Sequence, residues 1–451
     1  MKGKHDFIKG RHFYICGEEI DTENCMVLNF SEPLLYYFKK GYEIVKTDRY
    51  TLRPKENQII QFPERKPTLC KILHKNKVIY FTSIFSILRL GTEDDLLKLL
   101  KVKELTRDIL EEVVKTINDE GIEFTTSSKV AKTFFNNYEF EGEKYDKSDD
   151  SNPTKKHFMR DYSCSGLLYQ KYHNEIVKNV YVYDINSQFP AILHDVDLPY
   201  KKLMVLLDTN YERIKNYTYS ASIKLISANI KKGRIPLQVG VKNNIVRITE
   251  GHGQLLPVTN LDVDYLYNNY DNVKIKFYRV DIFSTRNDLF KDFIEKLFSI
   301  KQDVKNEGNS IKYKLIKLEI NSFIGRIGSK YSRDKVHYTL HRHVLSYSRI
   351  SLSNIINRII EKYGEDSFFY SDTDSIHCSL TPEQFSEFAT IGNELGQFKL
   401  EHHYDYCEYE SGFKSYIGLE DGKVISKLAG IPYSFRKQYE DEFLEKINKL
   451  V

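Results

Sequence analysis

The sequence has few cysteines, and none of the six lies in a Cys-x-x-Cys pair. Such pairs supply the thiolate ligands of many zinc and iron-sulfur sites. Their absence disfavours a metal centre of that kind and indicates reduced thiols in a cytoplasmic setting. The cysteines are Cys16, Cys25, Cys70, Cys164, Cys378 and Cys407.

The chain also lacks a run of about 18 consecutive apolar residues, the length that a membrane-spanning helix needs. Its opening segment, residues 1–11, is charged and contains no apolar stretch of the kind found in a signal peptide. These absences predict a soluble cytoplasmic protein with no membrane partner.

There is little excess charge of either sign, because 67 Lys and Arg residues nearly balance 63 Asp and Glu residues. A nucleic-acid-binding surface would therefore need local segregation of positive charge. Aromatic rings are plentiful, with 33 Tyr and 27 Phe. Such rings pack in cores or stack on bases, and composition does not choose between these uses.

A chain of 451 residues exceeds the size at which one hydrophobic core usually keeps growing, which predicts two or more structural units. Residues 139–156 are polar, charged and interrupted by Gly142 and Pro153, a composition typical of a solvated connection. We therefore place a linker at residues 141–160, after a mixed α/β unit at residues 1–140.

Strand and helix patterns occur on both sides of this linker. Before it, residues 78–83 have the pattern of a strand, and residues 94–101 and 107–118 have the apolar spacing of helices. After it, short apolar runs end in acids. Residues 180–183, VYVY, stop at Asp184, and residues 368–378 read as a hairpin with Asp372 and Asp374 at its turn.

Two aspartates in one tight turn repel each other, and a bound divalent cation would offset that repulsion. Magnesium prefers oxygen ligands and is usually held by one or two carboxylates together with substrate phosphates. Asp184, from another strand, can complete such a site with Asp372 and Asp374. Considered alone, however, Asp-Thr-Asp is more often a plain surface turn, because Asp and Ser are favoured in turns.

Residues 310–324 contain no proline and read as a helix, with Ile311, Leu315 and Leu318 available for a buried stripe. Lys317, Asn321 and Gly325 recur at intervals of four residues, so they share one face, with Lys314 nearby. A lysine there can neutralise a triphosphate, and Gly325 leaves room for a base pair. A solvated lysine-rich helix face is the plainer alternative.

Four segments form an ordered set: DINSQFP at residues 184–190, KLEINSFIG at 317–325, YSDTDS at 370–375 and FKSYIG at 413–418. Together they resemble the palm and fingers motifs of family B DNA polymerases, above all those of the protein-primed subgroup of phages and linear plasmids. Such motifs in this order rarely arise by chance. The resemblance covers roughly residues 162–431.

This resemblance implies an α/β (α+β) fold: a right-hand polymerase with a palm β-sheet and helical fingers, preceded by an exonuclease-like α/β domain. Palm and fingers would occupy residues 161–430, with an insertion-like subdomain at about 205–285 and fingers at about 286–330. A vestigial thumb would follow at residues 431–451.

The resemblance also implies roles for single residues. Asp184 and Asp374 would bind two Mg²⁺ or Mn²⁺ ions with help from the Ile185 carbonyl, and Asp372 would lie beside them. The residues expected at the triphosphate, its sugar or its base are Ser187, Phe189, Lys305, Lys317, Asn321 and Gly325. Those expected at the primer or other DNA are Tyr162, Gly166, Tyr370, Thr373, Lys414, Tyr416 and Lys427.

Some positions depart from the family pattern. Phe189 replaces the usual tyrosine under the deoxyribose, so we expect steric exclusion of ribonucleotides to survive. Ile324 replaces a tyrosine of the family's Asn-Ser-x-Tyr-Gly, which removes one base-stacking surface. Gly166 is displaced by one position in a Tyr-x-Gly-Gly-like element.

The interval from Lys317 to Asp372 is too short for the second insertion of the protein-primed enzymes. Together with the short thumb, this short interval predicts distributive synthesis and poor strand displacement.

Asp21-Thr22-Glu23 is the one early candidate for an exonuclease carboxylate pair, and its flanks read better as a polar turn between strands. Residues 107–108 and 121–135 resemble helices that close such a domain. We therefore expect a degenerate exonuclease fold without proofreading activity.

These features predict a DNA-directed DNA polymerase that uses two metal ions, a DNA template-primer and deoxynucleoside triphosphates, in a bacterial host or virus-infected cell. Whether the chain also binds a terminal protein or a processivity partner stays open. Two alternatives also stay open: a polymerase that starts without a primer or on a protein hydroxyl, and a non-catalytic nucleic-acid-binding assembly component.

Overall fold

The computed structural model describes residues 14–15, 24–27, 43–47, 69–74, 77–84, 88, 90, 93–104, 107–119, 164–241, 244–327, 338–429, 431 and 433–450. Four sequence predictions lie outside these residues: the Asp21-Thr22-Glu23 segment, residues 121–135, the 141–160 linker and Tyr162. The side chain of Asn321 is likewise outside the description.

Helices and strands both contribute substantially to the described residues. The helices are α1 Glu93–Leu100, α2 Arg107–Asp119, α3 Gln188–Asp195, α4 Tyr211–Ile214, α5 Asn260–Asn269, α6 Lys291–Glu307, α7 Ser310–Ile327, α8 Tyr338–Tyr363, α9 Pro382–Phe385 and α10 Tyr433–Asn448, with a 3₁₀ turn at Glu365–Ser367. The strands are β1 Tyr14–Ile15, β2 Asn24–Val27, β3 Glu43–Thr47, β4 Leu69–His74, β5 Lys77–Ser83, β6 Leu167–Gln170, β7 Ile176–Ile185, β8 Leu198–Leu207, β9 Thr218–Ile230, β10 Leu237–Val241, β11 Asn244–Ile248, β12 Glu250–Thr259, β13 Tyr270–Arg286, β14 Phe368–Thr373, β15 Ser375–Cys378, β16 Phe398–Tyr409, β17 Ser415–Glu420 and β18 Lys423–Leu428. None of the described helices has the length and apolarity needed to cross a membrane.

The chain divides into two compact units. The first comprises Met1–Glu141 with Glu295–Arg326, and the second comprises Gly142–Ile294 with Ile327–Val451. The domain boundaries proposed above stay predictions.

The described part of the first unit contains a five-stranded sheet in the order β1-β2-β5-β4-β3. Its pairs are antiparallel except for the parallel pair β2 and β5. Helices α1 and α2 bury Leu96, Leu110 and Ile117 in a core that also contains Ile311 and Leu315 of α7. The strand predicted at 78–83, both early helices and the buried stripe of the 310–324 helix are confirmed, with Leu318 only half-buried.

A seven-stranded antiparallel sheet, in the order β18-β17-β16-β7-β15-β14-β6, forms the centre of the second unit. On one face, α8 packs Leu352 and Ile356 against Tyr183 and Ile376. On the other face, Tyr404, Tyr409, Tyr370 and Tyr416 form an aromatic cluster. β7 is buried on both faces because its side chains alternate between these two cores.

Residues 198–286 of the second unit contribute a four-stranded antiparallel sheet, β12-β9-β13-β8, and the separate hairpin β10-β11. Helix α5 covers this sheet and buries Val263 and Leu266 in its core. The helix begins at a capping box, in which Thr259 accepts from the Asp262 backbone N–H and Asp262 accepts from the Thr259 backbone N–H. Helix α10 packs Phe443 and Ile447 against Ile417 of β17.

Candidate active site

Three strands bring the predicted aspartates to one end of the seven-stranded sheet. Asp184, near the end of β7, lies opposite Ser375 of β15, and Ser375 lies opposite Asp372 of β14. The Ile185 N–H donates to the Asp374 carbonyl oxygen over 2.8 Å, which ties β7 to the turn itself. Because neighbouring strands lie about 5 Å apart, this register groups the three acids. The predicted hairpin at 368–378 is confirmed.

The turn between β14 and β15 is tight. Thr373 adopts a φ of 65°, a left-handed conformation that costs a non-glycine residue about 1 kcal/mol. The Asp374 N–H donates to the Asp372 carbonyl oxygen over 2.7 Å. The Ser375 hydroxyl donates to the same carbonyl over 3.3 Å, and the Thr373 hydroxyl donates to Asp372 Oδ1 over 3.0 Å. The two carboxylates are therefore carried on a fixed backbone.

Asp372 is neutralised within the protein. It is only 5% exposed, and the Lys414 ammonium lies 2.6 Å from its Oδ1 atom. Lys414 is held in turn, because its backbone N–H donates to the Tyr370 hydroxyl over 3.0 Å and its φ is 66°. The lysine of the Lys-x-Tyr segment thus acts as the counter-charge of an aspartate in the turn.

Asp374 has a different environment. It is half-buried, and in the part of the chain that the structure describes no cation lies within salt-bridge distance of its carboxylate. Burial, followed by the charge of Asp372, raises the pKa of Asp374 to about 6, although Lys427 and Lys414 act in the opposite direction. Its ionised form would be stabilised by an additional positive charge.

The donor set at this end of the sheet suits a divalent cation that also binds a substrate. Within the described ranges there is no cluster of three or more His, Cys, Asp or Glu side chains able to hold a metal. Asp184 and Asp374 supply two carboxylates, and Ile185 supplies a carbonyl. Magnesium is commonly held by one or two carboxylates with phosphate oxygens and waters completing its coordination. The residues therefore fit this ion better than a metal enclosed by protein ligands.

Helix α3 begins beside Asp184 and places Ser187 and Phe189 there. Ser187 has a φ of 55°, and Phe189 is half-buried in the first turn. The buried Gln188 accepts a hydrogen bond of 2.7 Å from Ser348 of α8, which fixes the start of the helix. Both predicted nucleotide residues therefore lie within a few residues of a predicted metal ligand.

The DNA-binding candidates Tyr370 and Tyr416 lie mainly in the core. Tyr370 is fully buried and Tyr416 is 6% exposed, with their rings 6.0 Å apart. Lys427 lies opposite Tyr416 on β18, and its ammonium is 5.6 Å from the centre of that ring. These residues form one group with Lys414 next to Asp372, in which the two lysines are exposed and the two phenol rings are buried.

Gly166 packs against the turn. A β-carbon at this position would lie 2.8 Å from the Thr373 Cα atom, closer than such carbons approach backbone. Glycine is therefore required for the close approach of β6 to Thr373. Two buried side chains that the sequence analysis missed hold this segment: Arg349 donates to the Ser165 carbonyl over 3.0 Å, and Gln238 Nε2 donates to the Gly166 carbonyl over 2.9 Å.

The predicted phosphate-binding lysines belong to the first unit. Lys305 on α6 and Lys317 on α7 are exposed, and Gly325 has open space around it. Burial, followed by the charges of Lys317 and Lys305, lowers the pKa of Lys301 to about 8. The three lysines therefore form one cationic cluster. Lys301 was missed, although it lies one helical turn before Lys305.

The sequence is similar to those of known DNA polymerases. The family model described as DNA polymerase type B, organellar and viral, matches residues 41–410. The DNA polymerase of Bacillus phage Nf is 25% identical over 276 residues, which cover 55% of this chain and 45% of that protein. The DNA polymerase of Bacillus phage phi29 is 25% identical over 230 residues, or 44% of this chain and 38% of that protein. The chain spans about half the length of the curated relatives it matches.

Solved structures resemble the chain over most of its length. Phi29 DNA polymerase complexed with primer-template DNA has a TM-score of 0.66 at 17% identity, covering 91% of this chain and 83% of that chain. An orthorhombic crystal form of the same polymerase has a TM-score of 0.65 at 17% identity, with the same coverage. At this identity the likeness establishes the fold alone, and it confirms the predicted mixed helix and strand class.

Proposed function

The chain belongs to the family of type B DNA polymerases of organelles and viruses, and from this membership we propose that it is a DNA-directed DNA polymerase. The observation that carries the proposal is the strand register that groups Asp184 with the Asp372 to Asp374 turn. A shared fold does not by itself establish activity, which would depend on these side chains.

The proposed reaction is nucleotidyl transfer, in which a primer 3′-hydroxyl attacks the α-phosphate of a deoxynucleoside triphosphate and pyrophosphate leaves. Asp184, Asp374 and the Ile185 carbonyl would hold two Mg²⁺ or Mn²⁺ ions, which when bound stabilise the attacking and leaving oxygens. The raised pKa of Asp374 supports this assignment, because a cation would relieve its buried negative charge.

The chain's own side chains position the substrates. Lys414 neutralises Asp372 over 2.6 Å, which keeps the turn compact, and its location suits it to hold the primer terminus. Ser187 and Phe189 at the start of α3 would contact the triphosphate and the sugar of the incoming nucleotide. Phe189 keeps the ring that excludes a 2′-hydroxyl.

The lysine cluster of α6 and α7 would bind the triphosphate. Lys301, Lys305 and Lys317 concentrate positive charge, and the pKa of Lys301 near 8 reflects both burial and repulsion from the other two. A polyanion would relieve that repulsion. Asn321 and Gly325, one and two helical turns after Lys317, are proposed contacts for the nucleotide on the same helix.

Further properties stay proposals. We expect synthesis without proofreading and with frequent dissociation from DNA. The setting that we propose is a bacterial host or virus-infected cell, because the sequence relatives described above are phage proteins. A terminal protein or processivity factor is a proposed partner.

Extension of a labelled DNA primer on a DNA template with Mg²⁺ tests the proposal. The intact chain is expected to extend the primer, and Asp184→Asn is expected to abolish extension because it removes a metal ligand. Asp421→Asn is a matched control, since Asp421 is an exposed turn aspartate between β17 and β18. A primer-free lane reports on initiation. Equal extension by the wild type and Asp184→Asn would refute the site.

A further inference from the structure

Strand β6 is an edge strand, and an edge strand presents backbone groups that need partners. Within β6, Leu168 lies directly opposite Asp372 of β14, and Leu167 lies opposite Thr373. This edge is therefore separated by a single strand pairing from the acids of the candidate site. Whatever fixes Leu168 also limits movement of Asp372.

The hairpin β10-β11 supplies those partners through two side chains. The Leu168 N–H donates to Gln238 Oε1 over 3.0 Å, and Arg247 Nη2 donates to the Leu168 carbonyl oxygen over 2.6 Å. Gln238 and Arg247 lie directly opposite each other in the hairpin. Together they complete both backbone hydrogen bonds of Leu168, as a neighbouring strand would do.

The same two residues reach both sides of the turn. Gln238 also donates to the carbonyl of Gly166, which packs against Thr373. The Arg247 guanidinium lies 4.8 Å from the centre of the Phe413 ring, within cation–π range. Phe413 immediately precedes Lys414, the counter-charge of Asp372. One hairpin therefore contacts the strand opposite Asp372 and the segment that neutralises it.

Burial makes these contacts difficult to replace. Gln238 is 2% exposed, so water does not readily take over its hydrogen bonds to Leu168 of β6 and to Gly166, which precedes the strand. Arg247 is half-buried. Loss of either side chain leaves backbone groups of β6 without a partner, and the edge strand then gains freedom to move.

We propose that Gln238 and Arg247 are positioning residues that clamp β6 and thereby hold Asp372, the Asp374 turn and Lys414 in register for nucleotidyl transfer. This inference rests on the proposed polymerase function. The hairpin belongs to residues 205–285, so the insertion-like segment acts on the geometry of the aspartates in addition to any contact with DNA.

Two variants remove one side chain each. Gln238→Leu keeps the volume and loses the hydrogen bonds, while Arg247→Met loses the guanidinium. Arg247→Lys is the conservative variant, because it can still donate to the Leu168 carbonyl. Arg234→Met is the matched control: Arg234 precedes the same hairpin, but it pairs with Glu361 of α8 and not with β6.

Hydrogen exchange and steady-state kinetics are measured together on each purified full chain. Gln238→Leu and Arg247→Met are expected to accelerate amide exchange at residues 164–170 and at the 370–376 turn. They should lower kcat about tenfold, with little change in KM for the nucleotide. Arg247→Lys should recover part of the loss, and Arg234→Met should resemble the wild type.

The outcomes separate the two proposals. Faster exchange at residues 164–170 without a change in the turn, or with an unchanged kcat, would overturn the positioning role. If the wild type did not extend primers, the polymerase proposal would fail, while the exchange data would still decide whether the hairpin fixes the turn. An equal fall in kcat in Arg234→Met would indicate a general loss of structure and also overturn the proposal.

Discussion

Asp262 on α5 and the Asp372 to Asp374 turn both withdraw carboxylates from solvent, yet their surroundings differ. Asp262 is 2% exposed and accepts hydrogen bonds from the Thr259 N–H and hydroxyl over 2.8 and 2.9 Å. Ser346 donates to it over 3.0 Å, and Arg349 lies 3.5 Å away. Three of these donors share Asp262 Oδ2, and the Arg349 guanidinium faces Oδ1, so the protein itself surrounds this carboxylate with donors.

In the turn, by comparison, only one of the two carboxylates has a counter-charge among the described residues. Lys414 neutralises Asp372, while Asp374 has no salt bridge with any described residue and a pKa raised to about 6. Removing one partner of a buried charged pair is costly, whereas a partly buried acid with a raised pKa and no counter-charge is a candidate for a functional group. We therefore propose a structural role for Asp262 and a role in the chemistry for Asp374.

The largest predicted effect follows from Asp374→Asn. Loss of this ligand should lower the rate of nucleotide incorporation by about a thousandfold or more, equivalent to roughly 4 kcal/mol of transition-state stabilisation. The melting temperature should not fall, because the substitution removes a poorly compensated charge. Single-turnover incorporation and thermal unfolding of the same preparation check both statements. A near-normal rate would contradict the proposed role of Asp374 as a metal ligand and leave the turn with a structural role only.

Asp262→Asn should show the opposite pattern. The change leaves Arg349 buried without its acid, which should destabilise the fold by about 3 kcal/mol. Incorporation by the remaining folded protein should stay within a few-fold of the wild type. Denaturant unfolding measures the first effect, and rates normalised to folded protein measure the second. A thousandfold loss of rate at full stability would erase the distinction between the two sites.

Gly166→Ala tests the approach of β6 to the turn. The added methyl group would meet the Thr373 backbone, because the ideal position of its carbon is 2.8 Å from the Thr373 Cα atom. We expect about 2 kcal/mol of destabilisation from overpacking and a lower rate. Gly253→Ala is a control on β12, since no atom lies within 4 Å of its added carbon. Equal stability of the two variants would show that the contact is easily relaxed.

The smallest predicted effect concerns pH. The pKa of Asp374 is about 6 in the fold, above its ordinary value of 3.8. The folded chain therefore holds this proton more tightly, so the resulting stability is full below pH 3.8 and is lost as the pH rises through about 6. Without divalent metal, the loss should be about 1 kcal/mol after allowance for solvent screening. Denaturant unfolding between pH 4 and pH 7, compared with Asp374→Asn, isolates it.

Sequence reasoning located the parts of the site that are carried by local patterns. Asp184, Asp372 and Asp374 end or join strands with clear apolar runs, and α7 follows from the period of Ile311 and Leu315. These elements depend on short-range periodicity, which the sequence displays directly.

The partners of these residues were not predictable in the same way. Gln238, Arg247 and Arg349 bind the backbone or side chains of residues 164–168 from 70 to 185 residues away, through hydrogen bonds that leave no local pattern. The pairing of Lys414 with Asp372 is also a tertiary contact, and sequence similarity had suggested only a role at the primer. Long-range polar contacts are set by the fold and cannot be read from spacing.

Thermal unfolding in the presence and absence of Mn²⁺ tests the central claim most directly, because it requires neither primer nor nucleotide. We predict that Mn²⁺ raises the melting temperature of the wild type and of Asp262→Asn, and that Asp374→Asn loses this response. An equal response of the wild type and Asp374→Asn would contradict the account, since the ion would then be bound somewhere other than the turn.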